Sequence, residues 1–300
     1  MRLAITGGTG FVGGNLIELA LARGHRVQAL TRRPQPERDG LCWIVGALDD
    51  PAALDRLVAD VDAVIHVAGV VKGSTEAFRL GNIVGTERMV AAAGRAGIRR
   101  FVHVSSLAAR EPELSAYGQS KRASEEPVAG YPGDWTIVRP PAIYGPGEQD
   151  ILQLFRAARS GIVPLPPRGS LSVIAVADLC ALLLDCLDQP ISFGRTYEPD
   201  DGVTGGWRHT AFARALGQAV GRRVLPLPVP QGLMRLAARV EEGLRGPKAR
   251  LTVDRVAYMC HPDWTVAPER RPPADLWRPE TETQRGLADT AGWYRAHGWL

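Results

Sequence analysis

Short apolar runs alternate with longer amphipathic stretches through the first half of this chain. Residues 3–5 (LAI) hold nothing polar, as expected of a strand buried on both faces. After a glycine turn, Phe11, Val12, Leu16, Ile17, Leu19 and Ala20 recur at helical spacing. Residues 26–31 (RVQALT), 43–46, 63–67 (AVIHV), 100–105 (RFVHVS) and 135–138 read as further strands. Helical patterns separate them over 51–59 (proline at the start), over 76–96, and from near Tyr117 to about residue 128. Strands alternating with helices predict an α/β fold, a doubly wound parallel sheet with right-handed connections.

The character changes after Ala142. Residues 143–147 form a loop, and 164–167 and 226–230 are proline-rich connectors. Residues 171–175, followed by a helix over 176–187, read as a return to the main sheet. The rest is helical and irregular, with many tryptophans. The predicted organisation is a sheet domain over 1–145, to which 171–197 return. A smaller lobe, 198–300 with 146–170, is expected to bind substrate, because ligands of such sheets sit beyond the carboxyl ends of the strands.

Composition narrows the picture. The chain has 300 residues, 45% hydrophobic and 23% charged, ample for a full core. The net charge is +4, with no basic run longer than a pair, so no nucleic-acid partner is expected. Four cysteines, without a C-x-x-C pair, suit free thiols in a reducing compartment; Cys42 and Cys180 sit in apolar sequence and are expected to be buried. No metal site is expected. The amino terminus runs directly into the first strand, and the longest apolar run, 179–187, is interrupted by Asp185. A cytoplasmic protein with no membrane partner is the expectation.

The chemistry begins at residues 6–14. Gly7, Gly10 and Gly13 stand between a strand and a helix, where a tight turn brings backbone close to phosphate oxygens and free helical N–H groups face an anion. That context predicts dinucleotide binding on a Rossmann sheet. At the end of the second strand stand Arg32 and Arg33, with no carboxylate before Glu37; two guanidiniums suit a 2′-phosphate, favouring NADP over NAD. Ala68 and Gly69 are small residues at a strand end, where a cofactor approaches backbone. His66, inside a strand pattern, reads as a packed, hydrogen-bonded core histidine.

Tyr117 and Lys121 form Y-x-x-x-K. The chain has six tyrosines and three lysines (Lys72, Lys121, Lys248), so chance supplies only about 0.06 such pairs. At i and i+4 the two share a helix face. An ammonium one turn away favours the phenolate and turns a poor base into a usable one. Ser105 and Ser106, at the neighbouring strand end, offer a hydroxyl for a substrate oxygen.

Six segments together resemble the extended short-chain dehydrogenase/reductases, the NAD(P)-dependent epimerase/dehydratase family. They are T-G-G-T-G-F-V-G (6–13), H-V-A-G (66–69), N-I-V-G-T (82–86), V-S-S (104–106), Y-G-Q-S-K (117–121) and R-P-P-A-I-Y-G-P-G (139–147); 172–179 and 286–294 are similar more loosely. The resemblance implies that Tyr117 is the acid/base, that Lys121 binds the nicotinamide ribose and tunes Tyr117, and that Ser106 orients the substrate oxygen. It implies a cofactor held by Gly7, Thr9, Gly10, Phe11, Val12, Gly13, Arg32, Arg33, Leu48, Ala68, Gly69, Val104, Tyr117 and Lys121, with Pro140 to Ile143 beside the nicotinamide. Where the family often has an aspartate after the third strand, this chain has Gly46, Ala47 and Leu48, leaving Leu48 or Asp49 to hold adenine. Ten residues separate Ser106 from Tyr117, fewer than in the family's sugar-nucleotide enzymes, which leaves the choice of Ser105 or Ser106 open.

The expected function is an NADP-dependent oxidoreductase or epimerase acting on a small molecule at a secondary alcohol or ketone. The alternative is a non-catalytic nucleotide-binding redox sensor or assembly factor on the same fold. Lys72, Tyr144 and Arg195 are expected polar contacts at the pocket mouth. Homodimerisation through helices 76–96 and 115–128 is common among the proteins this chain resembles.

Overall fold

The computed structural model describes residues 1–246, 249 and 251–300; Lys248 lies outside the described residues. The chain divides into two units. The first comprises Met1–Pro140, Leu179–Glu198 and Pro272–Arg278. Its centre is a parallel sheet of strands β1 (Arg2–Thr6), β2 (Arg26–Thr31), β3 (Leu41–Val45), β4 (Ala63–His66), β5 (Arg100–Val104), β6 (Asp134–Val138) and β7 (Arg195–Tyr197). Their spatial order is β7-β6-β5-β4-β1-β2-β3. The order reverses at β1, so the carboxyl ends of β1 and β4 open on the crevice that such sheets use for ligands.

Burial follows position in the sheet. β4 and β5 are buried along their whole length, and β1 is buried after its first residue. β3, at the edge, has no buried residue, and its Cys42 and Val45 are exposed. The expectation of a buried Cys42 is thereby corrected: a strand at the sheet edge has a neighbour on one side only and is covered less than the strands within. Cys180 and Cys186 are buried, and burial pushes both thiols up to about 12. On one face of the sheet, Leu54, Leu57, Met89, Phe101 and Ile137 form a shared core.

Helix α1 (Phe11–Ala22) follows β1, and α2 (Pro51–Leu57) starts at a proline behind Asp50, whose carboxylate accepts from the Ala53 N–H at 3.1 Å. The long helix expected over 76–96 is interrupted: α3 (Thr75–Phe78) passes through a π-helical stretch, Arg79–Val84, into α4 (Gly85–Arg95). Helix α5 (Ala116–Ala129) is capped by Ser115 and carries Pro127.

The second unit comprises Pro141–Asp178, Pro199–Arg271 and Pro279–Leu300. Tyr144, Phe155, Val163, Phe212, Leu216, Leu287 and Tyr294 lie in its own core. Helices Leu152–Ser160, His209–Val220 and Thr283–Ala296 surround that core, with small sheets beside them. The expected return of 171–175 to the main sheet is corrected here. Val173–Ala175 pairs with Ala142–Tyr144, and Ser170–Leu171 with Trp207–Arg208 and Asp263–Trp264. The returning strand is β7, three residues long and at the sheet edge.

Arg100 fastens that edge. Its guanidinium, buried at the start of β5, donates to the carbonyls of Cys186 (3.0 Å) and Asp134 (2.6 Å), to Thr136 Oγ1 (2.6 Å) and to Ser192 Oγ (3.1 Å). Burial pulls its pKa down to about 10, so it stays charged at neutral pH. Arg100→Met strands these acceptors in an apolar setting. Urea unfolding is expected to show a stability loss of about 3 kcal/mol; an unchanged midpoint would refute the fastening role.

Candidate active site

The site is assembled at the carboxyl ends of β1, β4, β5 and β6, and begins with a close approach of backbone. Gly7 has φ +75°, a conformation that side chains rarely adopt, and a Cβ there would stand 2.8 Å from the Ala68 nitrogen. A Cβ on Gly13 would stand 2.1 Å from the Gly7 carbonyl oxygen. Glycine at 7 and 13 is thus what lets α1 start against the turn. Gly10 caps α1 without a side-chain bond, and Thr9 and Gly10 are exposed, with Phe11 and Val12 half-buried. Among the described residues no side chain caps the first-turn N–H groups of α1, and an anion fits there. On these grounds the residues present fit a dinucleotide pyrophosphate.

Arg32 and Arg33 stand exposed past the end of β2, where Thr31 Oγ1 donates to the Arg33 carbonyl at 2.7 Å. Beside the turn is a cavity of about 260 Å³ lined by Gly8, Gly14, Ile17, Pro36, Arg38 and Trp43, among others. Arg38 is held there by both carboxylate oxygens of Glu18. Leu48 lies half-buried against Gly85, where an added Cβ would meet its Cδ1 at 2.7 Å; Asp49 is exposed. A larger cavity, about 380 Å³, includes Met1, Arg23 and His25 at the amino end of the sheet, away from these groups.

Lys121 projects from α5 and is buried, its Nζ donating to the Val104 carbonyl at 2.9 Å. A Cβ added to Gly69 would come within 3.7 Å of that Nζ, so the loop after β4 passes directly beside the ammonium. Burial pulls the Lys121 pKa down to about 8, while the Glu125 carboxylate, one turn further along α5, holds it up. Tyr117 is half-buried, one turn before Lys121, with its ring 5.9 Å from that of Phe78. Gly118 lets α5 pack against the turn that follows Ser106: a Cβ there would be 2.8 Å from the Ala108 carbonyl.

The two serines differ. Ser105 is buried and its hydroxyl is committed to Glu125 Oε1 at 2.6 Å. Ser106 is half-buried, and its Oγ accepts only the Ala108 N–H at 3.2 Å among the described residues. Ser106 is the one with hydrogen-bonding capacity to spare.

Three organising residues carried no role in the sequence reading. Glu125 takes two bonds from Arg139, at 2.8 and 2.6 Å, besides the one from Ser105; Arg139 also reaches the buried Glu198 at 3.4 Å. Asn82, in the π-helical stretch, accepts from the Val70 N–H at 2.6 Å and donates to the Val70 carbonyl at 3.0 Å and Ser120 Oγ at 2.8 Å. It ties the loop after β4 to α5, in keeping with the frequent use of π turns at functional sites.

The other expected residues fall as follows. Pro140 is buried, its carbonyl accepting from Leu107 N at 2.9 Å, while Ile143 belongs to the second unit. His66 is buried between the hydroxyls of Thr6 (2.7 Å) and Thr86 (3.1 Å), and burial pulls its pKa down to about 3, so it is a neutral packed group. Lys72 is exposed in the loop after β4. Tyr144 and Arg195 are corrected as pocket-mouth groups. Tyr144 is buried in the core of the second unit, and Arg195 opens β7 opposite Thr136 instead of standing at its carboxyl end. Among the described residues no cluster of metal-ligating side chains occurs, and no helix is long and apolar enough to cross a membrane.

Residues 3–190 match the family described as "NAD dependent epimerase/dehydratase family". The chain is 38% identical to a ceramide reductase of Caulobacter vibrioides, over 99% of this chain and 96% of that protein. It is 26% identical to a UDP-glucose 4-epimerase of Vibrio cholerae, over 96% and 94%. Among solved structures, MoeE5 in complex with UDP-glucose and NAD shares the fold, with a TM-score of 0.77, 21% identity and 99% of each chain covered.

Gly13→Ala is expected to weaken dinucleotide binding about tenfold or more, since the new methyl must push the Gly7 carbonyl out of the turn. Titration followed by nicotinamide fluorescence checks this; unchanged affinity would mean that the cofactor does not rest on this turn.

Proposed function

Because the chain belongs to the NAD dependent epimerase/dehydratase family, we propose that it is an NADPH-dependent reductase of a ketone on a long-chain, ceramide-like lipid. The observation that carries the reaction class is a buried lysine one turn from a half-buried tyrosine, beside a serine with spare hydrogen-bonding capacity. The likeness to a ceramide reductase, which extends over 99% of the chain, supports the substrate class. The ten-residue segment between Ser106 and Tyr117 points the same way, being short for a nucleotide-sugar enzyme.

When bound, reduced nicotinamide supplies a hydride to the carbonyl carbon. The chain supplies the rest. Ser106 Oγ–H donates to the ketone oxygen and orients it. Tyr117 gives its phenolic proton to that oxygen as the C=O double bond becomes a single bond. Lys121, charged at neutral pH, stabilises the phenolate left behind and donates to the ribose. The glycine turn and the start of α1 hold the pyrophosphate, and Arg32 and Arg33 take the 2′-phosphate.

Titrating purified protein with NADPH and NADH is expected to show preference for NADPH, and Arg32→Ser with Arg33→Ser to abolish it. With a ceramide-like ketone, Tyr117→Phe should lose about 10²–10⁴-fold in kcat with cofactor affinity kept. Preference for NADH would remove the arginine assignment. Full turnover by Tyr117→Phe would leave a nucleotide-binding role without this chemistry.

The pKa of Lys121 sets a pH limit. Its ammonium is lost as pH rises through about 8, so the rate of reduction is expected to fall over that range. The Glu125 carboxylate favours the charged form, so Glu125→Gln should move the decline to lower pH. A pH–rate profile unmoved by Glu125→Gln would show that the carboxylate serves packing alone.

A further inference from the structure

The positive charge of this chain is concentrated. Residues 222–250 hold seven basic residues against two acidic ones, a net of +5 within a chain of net +4. The helix Gln231–Arg245 lies in this stretch, and its amphipathicity is inverted. Toward its own unit it buries only Met234 and Ala238, which pack with Val256. Outward it presents Leu233, Leu236 and Val240, each more than half exposed, and Leu244, 81% exposed. Their spacings of three, four and four residues place them in one stripe along about 17 Å of helix. An apolar stripe turned to water is the opposite of what a surface helix needs for folding.

Charge identifies the occupant. Arg235 and Arg239, one turn apart, lie along one side of the stripe, exposed and paired with no carboxylate among the described residues. The helix's two carboxylates are turned elsewhere: Glu241 pairs with Arg245 at 3.3 Å, and Glu242 accepts from the Val253 N–H at 3.1 Å. Leucines beside a row of guanidiniums form the pattern of a helix lying in a bilayer interface, with apolar side chains in the acyl region and arginines at anionic headgroups. Self-association of the same face would bring like charges together instead.

We propose that the helix Gln231–Arg245 docks this protein on an anionic lipid surface. The docking stands on the helix itself; its use, access to a lipid ketone held in the bilayer, rests on the reading given under the proposed function. The expectation of no membrane partner came from spanning length, which an interfacial helix does not require.

Flotation of the full chain with vesicles tests the docking. Binding to phosphatidylcholine vesicles containing about one-third phosphatidylglycerol is expected to exceed binding to pure phosphatidylcholine by about tenfold, and to fall with added salt. Leu236→Glu with Leu244→Glu should abolish flotation, and Arg235→Glu with Arg239→Glu should remove the anionic preference. Each change is on an exposed surface, so turnover of a water-soluble ketone should persist in all variants. Failure of the wild type to float overturns the docking, as does a wild-type dimer that the leucine changes convert to monomer, which would assign the stripe to a second copy. Flotation as expected, with no ceramide-like ketone reduced, would uphold the docking and overturn the lipid-ketone reading alone.

Discussion

The carboxylate of Glu125, sealed from water, holds the candidate site in register. It is gripped by both sides of the Arg139 guanidinium and by the Ser105 hydroxyl. Through these bonds the middle of α5, the end of β5 and the end of β6 are fixed to one another. Lys121, one turn back on α5, then reaches the Val104 carbonyl on the same strand that ends in Ser105 and Ser106. Such a pair is costly to desolvate, and its net worth to stability is small; removing one partner costs about 3–5 kcal/mol. Its value here is geometric, because it fixes to one another the elements that carry Lys121, Tyr117 and Ser106.

A second constraint runs through the glycines. Gly7, Gly13, Gly69 and Gly118 are places where an added Cβ would crowd a neighbour, backbone at 2.1–2.8 Å for Gly7, Gly13 and Gly118 and Asn82 Oδ1 at 3.2 Å for Gly69. The first two bring the start of α1 against the turn, the third brings the β4 loop to Lys121, and the fourth brings α5 to the turn behind Ser106. Each removes a side chain so that a polar group can be positioned, which links local backbone freedom to the chemistry.

Much of this was legible in the sequence, for identifiable reasons. The glycine turn shows because only one residue type tolerates such approaches, and Tyr117–Lys121 shows because lysine is so rare in this chain. The strands β1, β4 and β5 show because two-sided burial leaves continuous apolar runs. Other features leave no periodic trace. The Glu125–Arg139 pair joins residues 14 apart on different elements, and nothing local to either marks it. β7 is three residues long, and an apolar triplet such as Val173–Ala175 looks equally suited to any sheet. The exposure of Cys42 leaves no mark either, because apolar composition does not reveal which strand lies at an edge. The exposed leucines of Gln231–Arg245 have ordinary helical spacing, and only the fold shows which way the stripe faces.

The π-helical stretch Arg79–Val84 bears on how chains of this kind diverge. A π turn accommodates one residue more than an α-helix over the same path. Deleting a single residue there would leave a well-formed product, a continuous α-helix, with the face that carries Asn82 turned by about 100°. Such a deletion would preserve the sheet and the core while releasing Val70 and the loop after β4 from α5. Inheritance by shortening, as well as by substitution, could thus separate the scaffold from its chemistry in one step.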